Sequence, residues 1–200
     1  MKSLLFNETE YKIIALIYLI GIILSNKKVL IINTIIFIYL VFFYRYKFID
    51  IINNESLIIS PCSGKIMKIE DLGDSNKIYI FLSPMDNHTQ IIPYSGKIIR
   101  YERIKGEDFV AYKIDENDKK RNRFITEIET EFGNIEIIQN TGILAKRIKN
   151  YFKLGDNVKK GDLLGIIKFG SRVDITIPKM FDLNVFVNQK IKIGDKIAEL

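Results

Sequence analysis

The stretch IIKFGSRVDI, residues 166–175, reads as one β-strand with a Gly-Ser step in its middle. Glycine packs nothing in a strand and costs backbone entropy. Gly170 therefore marks a turn or bulge, or a place where the backbone itself reacts. Ser171 follows it, and a serine hydroxyl is a weak nucleophile that needs a base. The chain holds one imidazole, His88, in SPMDNH (83–88), two residues after Asp86. Imidazole titrates near neutral pH and suits general-base work, but taken alone His88 reads as an ordinary core or surface histidine. The one thiol, Cys62, has no second histidine to pair with and reads as a small buried filler. A single cysteine permits no intrachain disulfide, and one His with one Cys cannot build the usual zinc site. No acidic cluster has the spacing of an EF-hand loop.

The elements that must position these groups are mostly strands. From about residue 56 the chain breaks into short alternating runs such as GKIMKIE, KIYIFLS, GKIIRYERI, FITEIETEFG and NIEIIQN, punctuated by Gly, Asn, Asp and Pro. GILAKRIKNYF (142–152) fits a strand better than a helix, and YKIDENDKKRNR (112–123) reads as a solvated, charged loop. Two internal echoes stand out. ISPCSGKIMKIE (59–70) resembles IIPYSGKIIRYE (91–102), and FKLGDNVKKGDLLGII (152–167) resembles VFVNQKIKIGDKIAEL (185–200). Gly-Asp makes tight turns and alternate apolar residues fill a shared core. The pattern predicts a mainly β, barrel-sandwich-like domain of two related halves wrapped around each other.

Ahead of it stand two apolar runs, YKIIALIYLIGIIL (11–24) and VLIINTIIFIYLVFFY (29–44), separated by SNKK. Each is shorter than the roughly 20 residues of a comfortable membrane span. They read as a helical hairpin that spans a thinned bilayer or dips into one leaflet. Tyr39, Phe42, Phe43, Tyr44 and Tyr46 with Arg45 and Lys47 make an interface belt. The expected division is a membrane-associated hairpin, 1–50, and a β-rich domain, 51–200. The balance of Lys and Arg around the hairpin places the domain on the cytoplasmic side of the cell membrane. The net charge of +6 suits an anionic membrane surface. It forms no dense basic stripe with interleaved aromatics, which excludes a nucleic-acid groove.

Nearly the whole chain resembles the short-form, pyruvoyl-dependent phosphatidylserine decarboxylases, which include archaetidylserine decarboxylases. The blocks that carry the resemblance are ISPCSGKI, IFLSPMDNHTQIIPYSGKI, KRNRFITEIETEFGNIEIIQNTGILAKRI and GDNVKKGDLLGIIKFGSRVDITIP. The resemblance implies a cofactor made from the chain. Ser171 would attack the carbonyl carbon of Gly170, and the ester formed would eliminate. Residues 171–200 would then be a second chain that begins with a pyruvoyl group. That ketone would take the substrate amine as a Schiff base and accept electrons as the carboxylate leaves, turning phosphatidylserine into phosphatidylethanolamine. It further implies His88 as general base and Asp86 as its orienter or the holder of its turn. The partners implied are a membrane phospholipid substrate and the other half of a self-cleaved, two-chain molecule, which in the family often dimerises.

One position departs from the family. Pro-Ala-Asp-Gly is common there, and this chain reads Pro61-Cys62-Ser63-Gly64. Ser63 can accept a hydrogen bond but cannot stabilise an imidazolium as a carboxylate does. Asp86 and Asp174 are the candidate substitutes. The competing readings are a non-catalytic, membrane-anchored barrel-sandwich adaptor or carrier, with Lys179-Met180 as a carrier-like pair, and a degenerate member kept for lipid binding.

Overall fold

A computed structural model describes residues 8–24, 26–43, 54–107, 109, 112, 114, 118, 120–142, 148–167 and 171–200. Gly170, residues 143–147 and the belt residues 44–47 lie outside this set. The chain divides into two compact units, Met1–Lys47 and Phe48–Leu200. In the first, the apolar runs form helices α1 (Glu8–Leu24) and α2 (Lys27–Phe43). Asn26 caps α2, its side-chain oxygen accepting the Val29 N–H at 3.2 Å. The helices meet where a side chain at Gly21 would run into Asn33, and where Tyr18 stacks on Phe37 at 4.3 Å. Much of their remaining Ile, Leu and Val surface is exposed. Each helix has 17 residues, about 26 Å at about 1.5 Å per residue. Among the described residues, no helix is long and apolar enough to cross a membrane.

The second unit is made of β1 (Leu57–Ile59), β2 (Gly64–Asp71), β3 (Ser75–Leu82), β4 (Thr89–Ile91), β5 (Gly96–Ile104), β6 (Arg123–Thr130), β7 (Gly133–Asn140), β8 (Ile148–Asn150), β9 (Asn157–Val158), β10 (Leu163–Ile167), β11 (Ser171–Pro178), β12 (Asp182–Leu183), β13 (Lys190–Ile191) and β14 (Lys196–Glu199). They form an eight-stranded sheet, ordered β13-β2-β3-β11-β7-β6-β5-β9, and two three-stranded sheets, β1-β14-β12 and β4-β10-β8. All three contribute to one core, rich in Ile, and none closes into a barrel. Strand alternation sets the faces. Val173, Ile175 and Ile177 of β11 point into the core with Ile78, Ile80 and Leu82 of β3 and Ile135 and Ile137 of β7. Arg172 and Asp174 take the opposite face. The fold is mainly β with two N-terminal helices, as the sequence pattern predicts.

The two echoes are the visible part of a complete internal twofold. Read from its two edges, the large sheet runs β13-β2-β3-β11 and β9-β5-β6-β7, and the small sheets correspond strand for strand. The registers repeat as well. Ile66 faces Ile80 as Ile98 faces Ile128, with a bulge just beyond each pair, and Ile59 faces Lys196 as Ile91 faces Leu163. One half is β1–β3 with β11–β14, and the other is β4–β10. The second half is thus inserted whole between β3 and β11 of the first. Where the second half joins β6 to β7 by a turn at Glu131-Phe132, the first half is opened. Ser171, first residue of β11, therefore stands where Gly133 stands in β7.

The repeated Ser-Gly-Lys-Ile does the same work in both halves. Gly64 and Gly96 open β2 and β5, and a Cβ on either would collide with a carbonyl oxygen of the neighbouring strand, Phe81 or Glu129. Gly96→Ala is expected to destabilise the domain by about 3 kcal/mol through forced backbone displacement, read as a lower urea unfolding midpoint. The preceding serines accept backbone N–H groups, Ser63 from Ile193 at 2.9 Å and Ser95 from Lys160 at 3.0 Å.

Candidate active site at the crossing between the halves

The chain passes between its halves twice, at 83–88 and between Ile167 and Ser171, and the described residues that flank the second are tied to the first. Leu82, before the first, pairs with Ser171, after the second. His88, which ends the first, accepts the Ile167 N–H on its carbonyl at 3.2 Å. The residues on either side of the Gly-Ser step are thus both held by one short connection, and that connection carries the only imidazole of the sequence. Asp86 shapes it. Its Oδ2 accepts the Ser83 N–H at 2.8 Å while its own N–H donates to the Ser83 carbonyl at 2.9 Å. The Asp86 carbonyl lies 2.9 Å from His88 Nδ1. A carbonyl only accepts, so this contact suits a proton on Nδ1, which in a neutral imidazole leaves the lone pair on Nε2. Asp86 thus closes the turn with its side chain and sets its backbone carbonyl against the His88 ring.

Ser171 and His88 are fully buried. The Ser171 hydroxyl has no hydrogen-bond partner among the described residues, which costs about 1–3 kcal/mol for a buried polar group. By strand parity it points to the core face, beside Val173. Two glutamines share this interior. Gln90 Nε2 donates to the His88 carbonyl at 2.5 Å, and Gln139 Nε2 donates to Gln90 Oε1 at 3.0 Å. Cys62 is buried, and desolvation, with smaller contributions from the Asp86 and Asp174 carboxylates, pushes its thiol well above its ordinary range. It is a core residue in the protonated form.

On the opposite face, Arg172 is clamped by two carboxylates. Its Nε donates to Asp174 Oδ1 at 2.7 Å and its Nη2 to Asp118 Oδ2 at 2.8 Å. Asn140 Nδ2 donates to Asp174 Oδ2 at 2.9 Å. Burial alone would lower the guanidinium's proton affinity, and the two carboxylates more than reverse this. These groups line a cavity of about 440 Å³ with Lys68, Lys77 and Tyr79. Asp174 is therefore committed to Arg172 and Asn140 across the sheet from the Ser171 hydroxyl. Within the charged segment 112–123, Arg121 and Asp118 depart from the solvated loop expected there. Arg121 is fully buried, its Nη1 donating to the carbonyls of Phe109 at 2.8 Å and Thr141 at 3.2 Å, and Asp118 reaches Arg172. Lys179, the carrier-like lysine, is tied to Asp71 and Asn76.

Ser63 sits where its twin Ser95 sits, on a backbone N–H. Replacing either by Ala is expected to cost about 1 kcal/mol in urea unfolding. A Ser63→Ala effect on chain cutting, with none for Ser95→Ala, would instead mark Ser63 as more than a strand anchor. The glutamines, Arg172 and Asp118 were not singled out from sequence. The available signal was Gln139, a polar residue at an inward position of the otherwise Ile-lined NIEIIQN.

Fold and site together define a twofold-repeated antiparallel β domain whose single imidazole ends one crossing between its halves and whose buried serine follows the other. A family model described as phosphatidylserine decarboxylase matches residues 38–199, and the chain belongs to that family. It is 34% identical over 159 residues to a putative archaetidylserine decarboxylase proenzyme of Methanosarcina acetivorans, covering 80% of this chain and 74% of that protein. It is 38% identical over 142 residues to a phosphatidylserine decarboxylase proenzyme of Streptomyces avermitilis, covering 70% and 65%. An Archaeoglobus fulgidus protein named as a putative archaetidylserine decarboxylase proenzyme is 36% identical over 141 residues, covering 70% and 69%.

Proposed function

We propose that this chain is a proenzyme that cuts itself between Gly170 and Ser171 and then decarboxylates the serine headgroup of a membrane phospholipid. The observation that carries the reading is the unpartnered, fully buried hydroxyl of Ser171, opposite the strand end that leads to His88. In the cut, Ser171 Oγ bonds to the carbonyl carbon of Gly170 and its proton passes to a base, for which His88 Nε2 is the candidate. The peptide C–N bond breaks and an ester replaces it. Loss of the Cα proton of residue 171 then breaks the Cβ–Oγ bond and frees the Gly170 carboxylate. Water replaces nitrogen at Cα, releasing ammonia and leaving a ketone. Position 171 suits such a group, because the serine hydroxyl it consumes serves no hydrogen bond of the fold. The ketone supplies an electron sink for the carbanion left by the departing carboxylate.

The chain's own residues do the rest. Leu82 holds Ser171 and the His88 carbonyl holds Ile167 on the two sides of the cut, and the core around Ser171 excludes water from the reacting centre. The apolar hairpin is proposed to keep the domain at the bilayer. Its helices are shorter than the roughly 30 Å hydrocarbon core, which supports immersion in one leaflet or a thinned span. The test is intact-mass spectrometry of the denatured protein together with carbon dioxide release from vesicles of phosphatidylserine or archaetidylserine. Chains 1–170 and 171–200, the latter blocked at its N-terminus, with release from at least one lipid, are expected. A single uncut chain overturns the proposal.

A further inference from the structure

Gln139 and Gln90 are both fully buried in a core otherwise built largely from Ile. The internal twofold says what the fold alone asks for at these places. The position equivalent to Gln90 in β4 is Ile58 in β1, and the one equivalent to Gln139 in β7 is Ile177 in β11, both fully buried apolar residues. The architecture is satisfied by isoleucine twice. Glutamine appears only in the copy that faces the Ser171 end of the interior, so it serves something other than the fold.

Its polarity is fixed. The His88 carbonyl can only accept, so the amide nitrogen of Gln90 faces it and the Gln90 oxygen faces away. That oxygen accepts from the amide nitrogen of Gln139. The atom left over at the end of the relay is therefore an acceptor, Gln139 Oε1, and it is buried with no partner among the described residues. Gln139 sits directly across from Val173. It is thus the diagonal, same-face neighbour of Ser171, on the order of 7–8 Å away along the sheet. Two unpartnered buried oxygens thus occupy neighbouring places on one face, next to the imidazole-bearing crossing. An orphaned acceptor recognises an N–H donor, and best a charged one.

We propose that Gln139 binds the primary ammonium of the phospholipid headgroup, its Oε1 accepting an N–H and aiming the amine at position 171, while Gln90 holds the amide in that orientation. This rests on the proposed function and names the group of the substrate that the site reads. Calorimetric titration of the full chain with glycerophosphoethanolamine, whose amine donates N–H, and glycerophosphocholine, whose quaternary nitrogen cannot, tests it. Gln139→Ile places the residue of the twin position and should fold, read by circular dichroism. If it does not fold, Gln139→Met, of similar length and flexibility, serves with the same readout. Wild type should prefer the ethanolamine compound, and the variant should lose about 10- to 100-fold of that affinity with little change for the choline compound. Equal weakening for both compounds, no weakening, or no wild-type preference overturns the inference. Wild-type protein that shows the preference but releases no carbon dioxide overturns the proposed function and leaves the role of Gln139 standing.

Discussion

Ser171→Ala is expected to leave one uncut chain of 23.3 kDa, folded like the wild type and without decarboxylase activity. The alanine methyl fits the space of the hydroxymethyl, and the hydroxyl it removes makes no hydrogen bond. Stability should therefore hold or rise slightly, since an unsatisfied buried group is removed. Activity should fall to background, on the order of 10⁶ or more, because no side chain replaces the lost electron sink. The pairing of unchanged stability with lost cutting is the distinguishing result. Two fragments from the Ser171→Ala protein would show that Ser171 is not the attacking group. His88→Ala should likewise remain uncut, and normal cutting of that variant would remove His88 from the role of base.

The largest effect on stability is expected on the other face of the same strand. Asp174→Ala removes one of the two carboxylates that clamp the buried Arg172 guanidinium and strips Asn140 Nδ2 of its carboxylate partner. Breaking a buried ion pair from one side costs about 3–5 kcal/mol, because a charge stays behind without compensation. That is a large share of the roughly 5–15 kcal/mol that holds a domain together. The expected fall in thermal midpoint is about 10 °C, measured by circular dichroism on Ser171→Ala protein so that chain cutting does not interfere. Replacing Arg172 by Met together with Asp174 by Leu should recover much of the loss. Asp118 is then left at the rim, where water reaches it. A loss below about 1 kcal/mol for Asp174→Ala would mean that Asp118 alone neutralises the arginine.

Much of this arrangement could be read from the chain, and the parts that could not share a cause. Pro-x-Ser-Gly-Lys-Ile at 61–66 and 93–98 announced the internal repeat, because its glycines and serines answer local demands of backbone approach and turn bonding. The Gly-Ser step at 170–171 was visible for the same reason: it breaks a strand pattern locally. The insertion of one half into an opened hairpin of the other left no such mark, since either crossing looks like any other loop. Gln139 meets Gln90 across 49 positions and Arg172 meets Asp118 across 54. Such pairings depend on strand register, which local pattern does not encode. By sequence Asp118 belongs to a solvated charge run, because its neighbours along the chain are charged, whereas its carboxylate also pairs with the buried Arg172 of a distant strand.

The interleaving of the halves also decides what a cut at 170/171 does to reversibility. Residues 171–200 contribute β11 to the middle of the large sheet and β14 to the middle of a small one, so both products stay locked together in the native state. Before the cut, folding is a reaction of one molecule, and its rate does not depend on protein concentration. After it, a denatured sample holds two separate polypeptides, and recovery becomes second order. The long piece would have to recruit its missing central strand from solution, with the inner edges of β3 and β7 exposed meanwhile. The uncut chain should therefore refold at any dilution, while the mature protein should lose that ability as it is diluted and aggregate as it is concentrated. On the proposed cut, assembly would have to come first, and cutting would make it a one-time event.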